Sequence, residues 1–146
     1  MKTEPKIIAE EIHLLKIEIV HHKMDITVFK KANKPKIGIG HKVMHNLKDE
    51  RIKIELAITF TDHKDQELME MQIDFHYHIE HLENFYQLNE ENNPIFYRWM
   101  IATLLGIAVS TSRGIIYQKL QSNDIHNVLI PVISPQSLLK PNTKSS

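Results

Sequence analysis

The amino-acid sequence predicts an α+β protein: a four-stranded antiparallel β-meander sheet, followed by a long α-helix and a short C-terminal helical turn. Two observations predict this architecture. Apolar and polar residues alternate through most of the first 81 positions, which is typical of strands buried on one face. From about residue 94 the alternation stops, and a long apolar run follows that ends before a proline-containing tail.

Length and composition limit the class of protein. The 146 residues suit one domain, 1–146, with an ordered core at about 12–139 and flexible termini. Lys plus Arg and Asp plus Glu number 18 each, so the charge favours neither nucleic acid nor an anionic membrane as partner. The chain contains no cysteine, which excludes disulfides and thiolate metal sites. Acidic residues near the start do not suit a signal peptide, and the charge-free run 99–112 is shorter than the ~20 residues of a membrane span, so we expect a cytoplasmic protein without membrane insertion.

The first two strands are predicted at 14–29 and 36–45. In the first strand the apolar residues are odd-numbered up to Ile19 and even-numbered from Met24. A one-residue slip turns every side chain to the other face, so we predict a β-bulge at the HHK of 21–23.

The third and fourth strands are predicted at 52–60 and 69–81, joined by the polar turn TDHKDQ. The fourth strand reads MEMQIDFHYHIEH, in which the odd positions from Met69 to Ile79 are apolar and the even positions are polar, whereas His81 has the parity of the apolar set. His76 and His78 share the polar face and are weak candidates for metal ligands. Zinc sites need three or four ligands and no HExxH motif is present, so we interpret both histidines as surface residues and predict no metal site.

A long helix is predicted to begin at Asn93 and Pro94, as N-cap and first helical residue, and to end near Gln121. Its N-terminal two-thirds is apolar nearly all round, whereas one sheet covers only one stripe of a helix. Small residues recur at every fourth position along it: Ala102, Gly106, Ser110 and Gly114. We predict that this stripe is an oligomer interface; the alternative is that its glycines ease packing against the sheet.

Sequence motifs of catalysis are missing. The STS at 110–112 lacks the G-x-S-x-G surroundings of a nucleophilic serine, and the GIG at 38–40 lacks the lysine and helix of a phosphate-binding loop. We therefore expect no enzymatic activity and no cofactor. Aromatic residues and methionine are concentrated at 85–100, and such side chains form adaptable apolar surfaces in proteins that bind varied partners.

The order and spacing of these segments resemble SecB, the bacterial export chaperone, and its SecB-like relatives. The similarity covers about residues 12–139. Its most specific part is VLIPVISPQSLL at 128–139, which is similar to the family's Leu-Ala-Pro-Val-Asn-Phe element after the long helix and also predicts a short helical turn from Pro135. KMDITVF at 23–29 resembles the first strand of the family, and Arg113 matches an arginine of its long helix.

The resemblance implies a sheet with helices on one side, a dimer of dimers with the long helices between the dimers, and ATP-independent binding of unfolded polypeptides. It also implies SecA as a partner in export systems, where acidic side chains of the sheet dock the translocase. This chain departs from that pattern. It is neutral, and Phe29 or Lys30 stands where a second acidic residue is expected after Asp25. We also expect neither the acidic C-terminal helix nor the metal-binding tail of the family.

From the residues and the resemblance together we expect an ATP-independent holdase for unfolded or extended polypeptides, linked to protein transport and acting as a homo-oligomer. One alternative is a dedicated antitoxin-type partner chaperone, and another is a histidine-dependent metal-binding protein. The residues predicted to line the polypeptide-binding groove are Val43, Met44, Phe85, Tyr86, Phe96, Tyr97 and Leu138.

Overall fold

A computed structural model describes residues 5–128, 130–132 and 134–139. In this part of the chain a four-stranded antiparallel sheet carries a long helix on one face, so the predicted fold class is confirmed. The termini that we predicted to be flexible lie mainly outside the described residues.

The strands of the sheet are β1 (Ile12–Met24), β2 (Lys36–Asn46), β3 (Arg51–Thr61) and β4 (Glu67–Ile79). β2, β3 and β4 form the predicted meander, but β1 pairs with β4, and the order is β1-β4-β3-β2. A meander of all four strands is therefore wrong for β1. The reason lies in burial: β4 is largely buried along its length and takes a central place, whereas the more exposed β1 and β2 form the edges.

The segment after β1 is a helix, α1 (Ile26–Lys31), and not the end of the predicted first strand. The carboxylate of Asp25 accepts a hydrogen bond from the backbone N–H of Val28 at 3.1 Å and caps this helix. Phe29 is fully buried, with its ring 5.5 Å from that of Phe60. The cap and the buried ring turn the chain at Asp25, and the connection leads to the far edge of the sheet.

β1 has two irregularities in its pairing with β4. The register shifts between Leu14 and Lys16, and again between Ile19 and His21. The second shift lies just before the predicted HHK bulge. As predicted, it keeps the odd-numbered apolar residues before it and the even-numbered ones after it on the same face of the sheet. Because of it, both Ile19 and Met24 lie opposite helix-facing residues of β4.

The predicted linker at 89–93 is the turn of a small hairpin formed by β5 (Tyr86–Leu88) and β6 (Pro94–Phe96). The side chain of Asn89 closes this turn by accepting hydrogen bonds from the backbone N–H groups of Glu91 and Asn93, both at 2.9 Å. The long helix, α2 (Arg98–Ser122), consequently begins at Arg98 and not at Pro94.

The long helix has two partners within the chain. On the sheet side, the hydroxyl of Tyr77 donates a hydrogen bond to the carbonyl oxygen of Leu104 at 2.9 Å. On another side lies the predicted C-terminal turn, α3 (Pro135–Leu138). A Cβ atom at Gly106 would come within 3.1 Å of Pro135, so the absence of a side chain there permits the contact. The C-terminal segment of the same chain thus covers part of the apolar surface of α2 that the sheet leaves uncovered.

The α2 helix is the one described helix that is long and apolar enough to cross a membrane by length and composition. Half of its 18-residue apolar window is buried inside the protein, and the core helix of a soluble protein meets the same two criteria.

Candidate functional site

Aromatic and aliphatic side chains gather around the β5–β6 hairpin, at the N-terminal end of α2. The rings of Tyr86 and Phe96 meet edge to face at 5.6 Å, and that of Tyr97 stacks on Trp99 at 6.2 Å. We define the hairpin surface as the partly or fully exposed residues Tyr86, Leu88, Ile95, Phe96 and Tyr97. A shallow cavity of about 330 Å³ opens among Leu88, Ile95, Phe96 and Tyr97 and is bordered by Arg98.

The hairpin surface adjoins the end of β2, because the ring of His45 lies 5.7 Å from that of Phe96. β2 is an edge strand, and among the described residues nothing pairs with its outer edge. Apolar pockets therefore lie next to free backbone N–H and C=O groups, the combination that binds extended peptides by strand addition.

The structure brings together only some of the predicted groove residues. Tyr86, Phe96 and Tyr97 belong to the hairpin surface, whereas Phe85 is 4% exposed and contributes to the core. Val43 lies opposite Ile54 on the helix face of the sheet. Met44 therefore projects from the outer face and cannot share a groove with Val43.

Leu138, the last predicted groove residue, is half-buried on α3 and packs against the core. Leu88 and Ile95 are exposed apolar residues that the groove prediction missed. The signal that indicates them is turn chemistry: Asn-rich NEENN followed by proline is compatible with a hairpin as well as with a linker.

A second apolar surface lies on β1. Five aliphatic side chains there are each at least 39% exposed, although we predicted their strand to be half-buried. We call the β1 surface this set: Leu14, Leu15, Ile17, Ile19 and Val20. Because β1 is an edge strand and α2 packs over β3, with Tyr77 of β4 hydrogen-bonded to it, the helix leaves these side chains exposed.

The predicted interface stripe on α2 is divided into two parts. Ala102 is buried, and Gly106 packs against α3 within the same chain. Ser110 and Gly114 are exposed and face an open groove of about 430 Å³ that Tyr117, Val128 and Ile130 also line. Only the second part of the stripe is available to another chain.

The outer face of the sheet is covered by charged and polar side chains, as predicted for His76 and His78. His76 Nε2 lies 2.9 Å from Glu18 Oε1, and His78 Nε2 lies 3.6 Å from Glu50 Oε1. The two histidines therefore face different carboxylates. Hydrogen bonds from Lys16 and His76 hold the pKa of Glu18 below its usual range.

Three buried polar atoms lack a hydrogen-bond partner in the described part of the chain: His22 Nε2, Trp99 Nε1 and Ser112 Oγ. Burial lowers the pKa of His22, with Lys119 and His21 as further contributors. The Nε2 atom of this half-buried histidine has no partner, and its burial disfavours the charged form of the ring.

Comparisons with protein-family models and with curated proteins give no match for this chain. Among solved structures, the chain is similar to the Mycobacterium tuberculosis Rv1957 SecB-like chaperone in complex with a ChAD peptide from Rv1956 HigA1 antitoxin. The TM-score is 0.58 at 9% sequence identity, and the similarity covers 86% of this chain and 92% of that chain. At this identity the likeness concerns the fold, and this chain therefore has the fold of a SecB-like chaperone.

Proposed function

We propose that this protein is a chaperone that binds unfolded or extended polypeptides without ATP. The observation that carries the proposal is the hairpin surface, where exposed aromatic and aliphatic side chains border the free edge of β2. The similarity of the fold to a SecB-like chaperone with a bound peptide supports it. Each apolar side chain that a client buries there would contribute about 1.5–3 kcal/mol before the entropic cost of ordering the client.

We propose also that the protein forms homo-oligomers through the β1 surface. Unpaired edge strands with exposed apolar residues readily pair with another chain. If two copies pair antiparallel around Ile17, Lys16 of one copy lies opposite Glu18 of the other, and Leu15 lies opposite Ile19. Opposite charges and apolar side chains would thus face each other in one register.

The chaperone proposal predicts that the hairpin surface is needed for client protection. The double variant Leu88→Ser, Ile95→Ser should bind an unfolded client at least about a hundredfold more weakly, because two apolar contacts of about 1.5–3 kcal/mol each are lost. The measurement is light scattering of an aggregating client with and without the protein, in the absence of nucleotide.

The matched control is Ile26→Ser, which removes a 40% exposed apolar side chain of α1. The α1 helix contacts Phe60, at the end of the sheet opposite the hairpin surface. We expect this variant to protect the client as well as the unmodified protein does. If the unmodified protein at stoichiometric amounts leaves aggregation unchanged, the holdase proposal is wrong.

The second candidate function is that of a dedicated partner chaperone, which the antitoxin peptide bound by the structural neighbour favours. A general holdase should bind several unrelated unfolded polypeptides with affinities within about tenfold of one another. A dedicated chaperone should bind one partner about a hundredfold more tightly, a difference of roughly 2.7 kcal/mol. Pull-down from the native cytoplasm, followed by affinity measurements on the captured proteins, decides between the two.

A further inference from the structure

Three potential metal ligands converge on the outer face of the sheet, where β1 pairs with β4. Glu18 and Asp74 lie directly opposite each other, and His76 follows two residues along β4 on the same face. One ligand atom of each residue lies within 4.8 Å of the other two. Ligands around a tetrahedral ion at about 2.1 Å are about 3.4 Å apart. Small rotations of the partly exposed Glu18 and His76 side chains would bring the three atoms to that spacing.

Asp74 provides a separate indication, because it is a buried carboxylate that is only partly satisfied. It is 5% exposed, and its Oδ1 accepts a hydrogen bond from the side-chain amide of Gln72 at 3.1 Å. The nearest cation to Oδ2 is Lys53 Nζ at 3.9 Å, which is beyond hydrogen-bond distance. In the described part of the chain no donor hydrogen-bonds to Oδ2, so the lone pairs of this oxygen are available to a cation.

The surroundings of Asp74 are rich in negative charge. Glu55, Asp74 and Glu18 lie in one cross-strand row, and like charges directly opposite each other are destabilising. Lys53 contacts Glu55 at 2.9 Å and Lys16 contacts Glu18 at 3.1 Å, so the two lysines neutralise the ends of the row. The negative charge of Asp74, in the middle of the row, is therefore the least neutralised of the three.

We propose that Glu18, Asp74 and His76 bind one divalent transition-metal cation, with water completing its coordination. One imidazole nitrogen and two carboxylate oxygens suit Zn²⁺, whereas Mg²⁺ and Ca²⁺ prefer oxygen ligands alone. The ion would link the edge strand β1 to the central strand β4 and neutralise the middle of the carboxylate row. His78 belongs to the next row, where it faces Glu50, and is not a ligand of this site.

The test is calorimetric titration of the full chain with a Zn²⁺ salt. We expect one ion per chain with a dissociation constant on the order of micromolar. Asp74→Asn and His76→Ala should each weaken binding by about tenfold or more, since even the loss of a residue that only supports a ligand has this effect. Lys53→Met should strengthen binding, because the competing cation is removed.

The matched control is His78→Ala, which removes a histidine from the same face of the same strand and should leave the affinity unchanged. Glu18→Gln serves as a further ligand variant if circular dichroism shows that Asp74→Asn is unfolded. Absence of micromolar binding overturns the proposal, as does binding that Asp74→Asn and Glu18→Gln leave intact. Loss of binding in His78→Ala together with retention in His76→Ala would place the ion beside His13 and His78, and would overturn it too.

Discussion

Phe75→Ala is expected to lower the free energy of unfolding by about 3–5 kcal/mol, the range for truncating a buried phenylalanine. Phe75 is fully buried in the middle of β4, between Ile17 of β1 and Ile54 of β3 in the register of the sheet. Its loss leaves a cavity beneath α2 that the neighbouring strands cannot fill without leaving their register. Urea denaturation followed by far-ultraviolet circular dichroism measures the change.

The control for this prediction is the next residue of the same strand. His76→Ala removes a partly exposed side chain from the outer face and leaves no cavity in the core, so we expect a much smaller loss of stability than for Phe75→Ala. If the two variants unfold at the same urea concentration, β4 does not have one core face and one outer face, and the described register is wrong.

Ile17→Lys is expected to convert the protein from a dimer or larger assembly into a monomer at micromolar concentration. In the proposed pairing through the β1 surface, Ile17 lies at the two-fold axis. The substitution would place two ammonium groups opposite each other in an apolar contact, where like charges cost several kcal/mol. Size-exclusion chromatography with light scattering measures the mass of each variant.

The matched control is Ile26→Lys, because Ile26 on α1 is 40% exposed and Ile17 is 39% exposed. We expect Ile26→Lys to keep the mass of the unmodified protein. Gly114→Glu separates the two proposed interfaces, since it dissociates the assembly only if the exposed part of the α2 stripe forms a contact. An unmodified protein that is monomeric at micromolar concentration would refute both interfaces.

The pattern of the sequence predicted those elements that depend on neighbours in the chain. In β3, even-numbered residues from Ile52 to Phe60 are buried, and in β4 the odd-numbered residues from Met69 to Ile79 are buried, as their alternation predicted. The alternation requires only that one face of a strand meets the core, so it does not depend on which strand lies beside it. The same parity argument correctly placed His76 and His78 on the outer face.

The places where the sequence misled depend on contacts between distant residues. The alternation predicted a strand at Asp25, but this residue is the N-cap of α1. The burial of Phe29 against Phe60 stabilises the helix at this place. The α2 helix begins at Arg98 and not at Pro94, because residues 94–96 form a strand of the hairpin, in which Phe96 pairs with Tyr86. The β-branched residues 26–28 favour a strand by local propensity, so tertiary packing overrides that preference in α1.

The candidate binding surfaces were predictable in composition but not in place. Aromatic content around residues 85–100 indicated an adaptable apolar surface, yet Phe85 is in the core and Met44 is on the opposite face from Val43. Exposure is a property of the whole fold, because it depends on which elements cover a residue.

By itself, the sequence determined the fold class, the face of each residue in β3 and β4, and the presence of one long apolar helix with a short turn after it. Only the tertiary structure decided that β1 lies beside β4, that α3 covers Gly106, and that Glu18 meets Asp74 and His76. The physical reason is the range of the forces involved. Periodicity follows from backbone geometry within a few residues, whereas the choice of partner follows from burial and charge between segments that lie far apart in the chain.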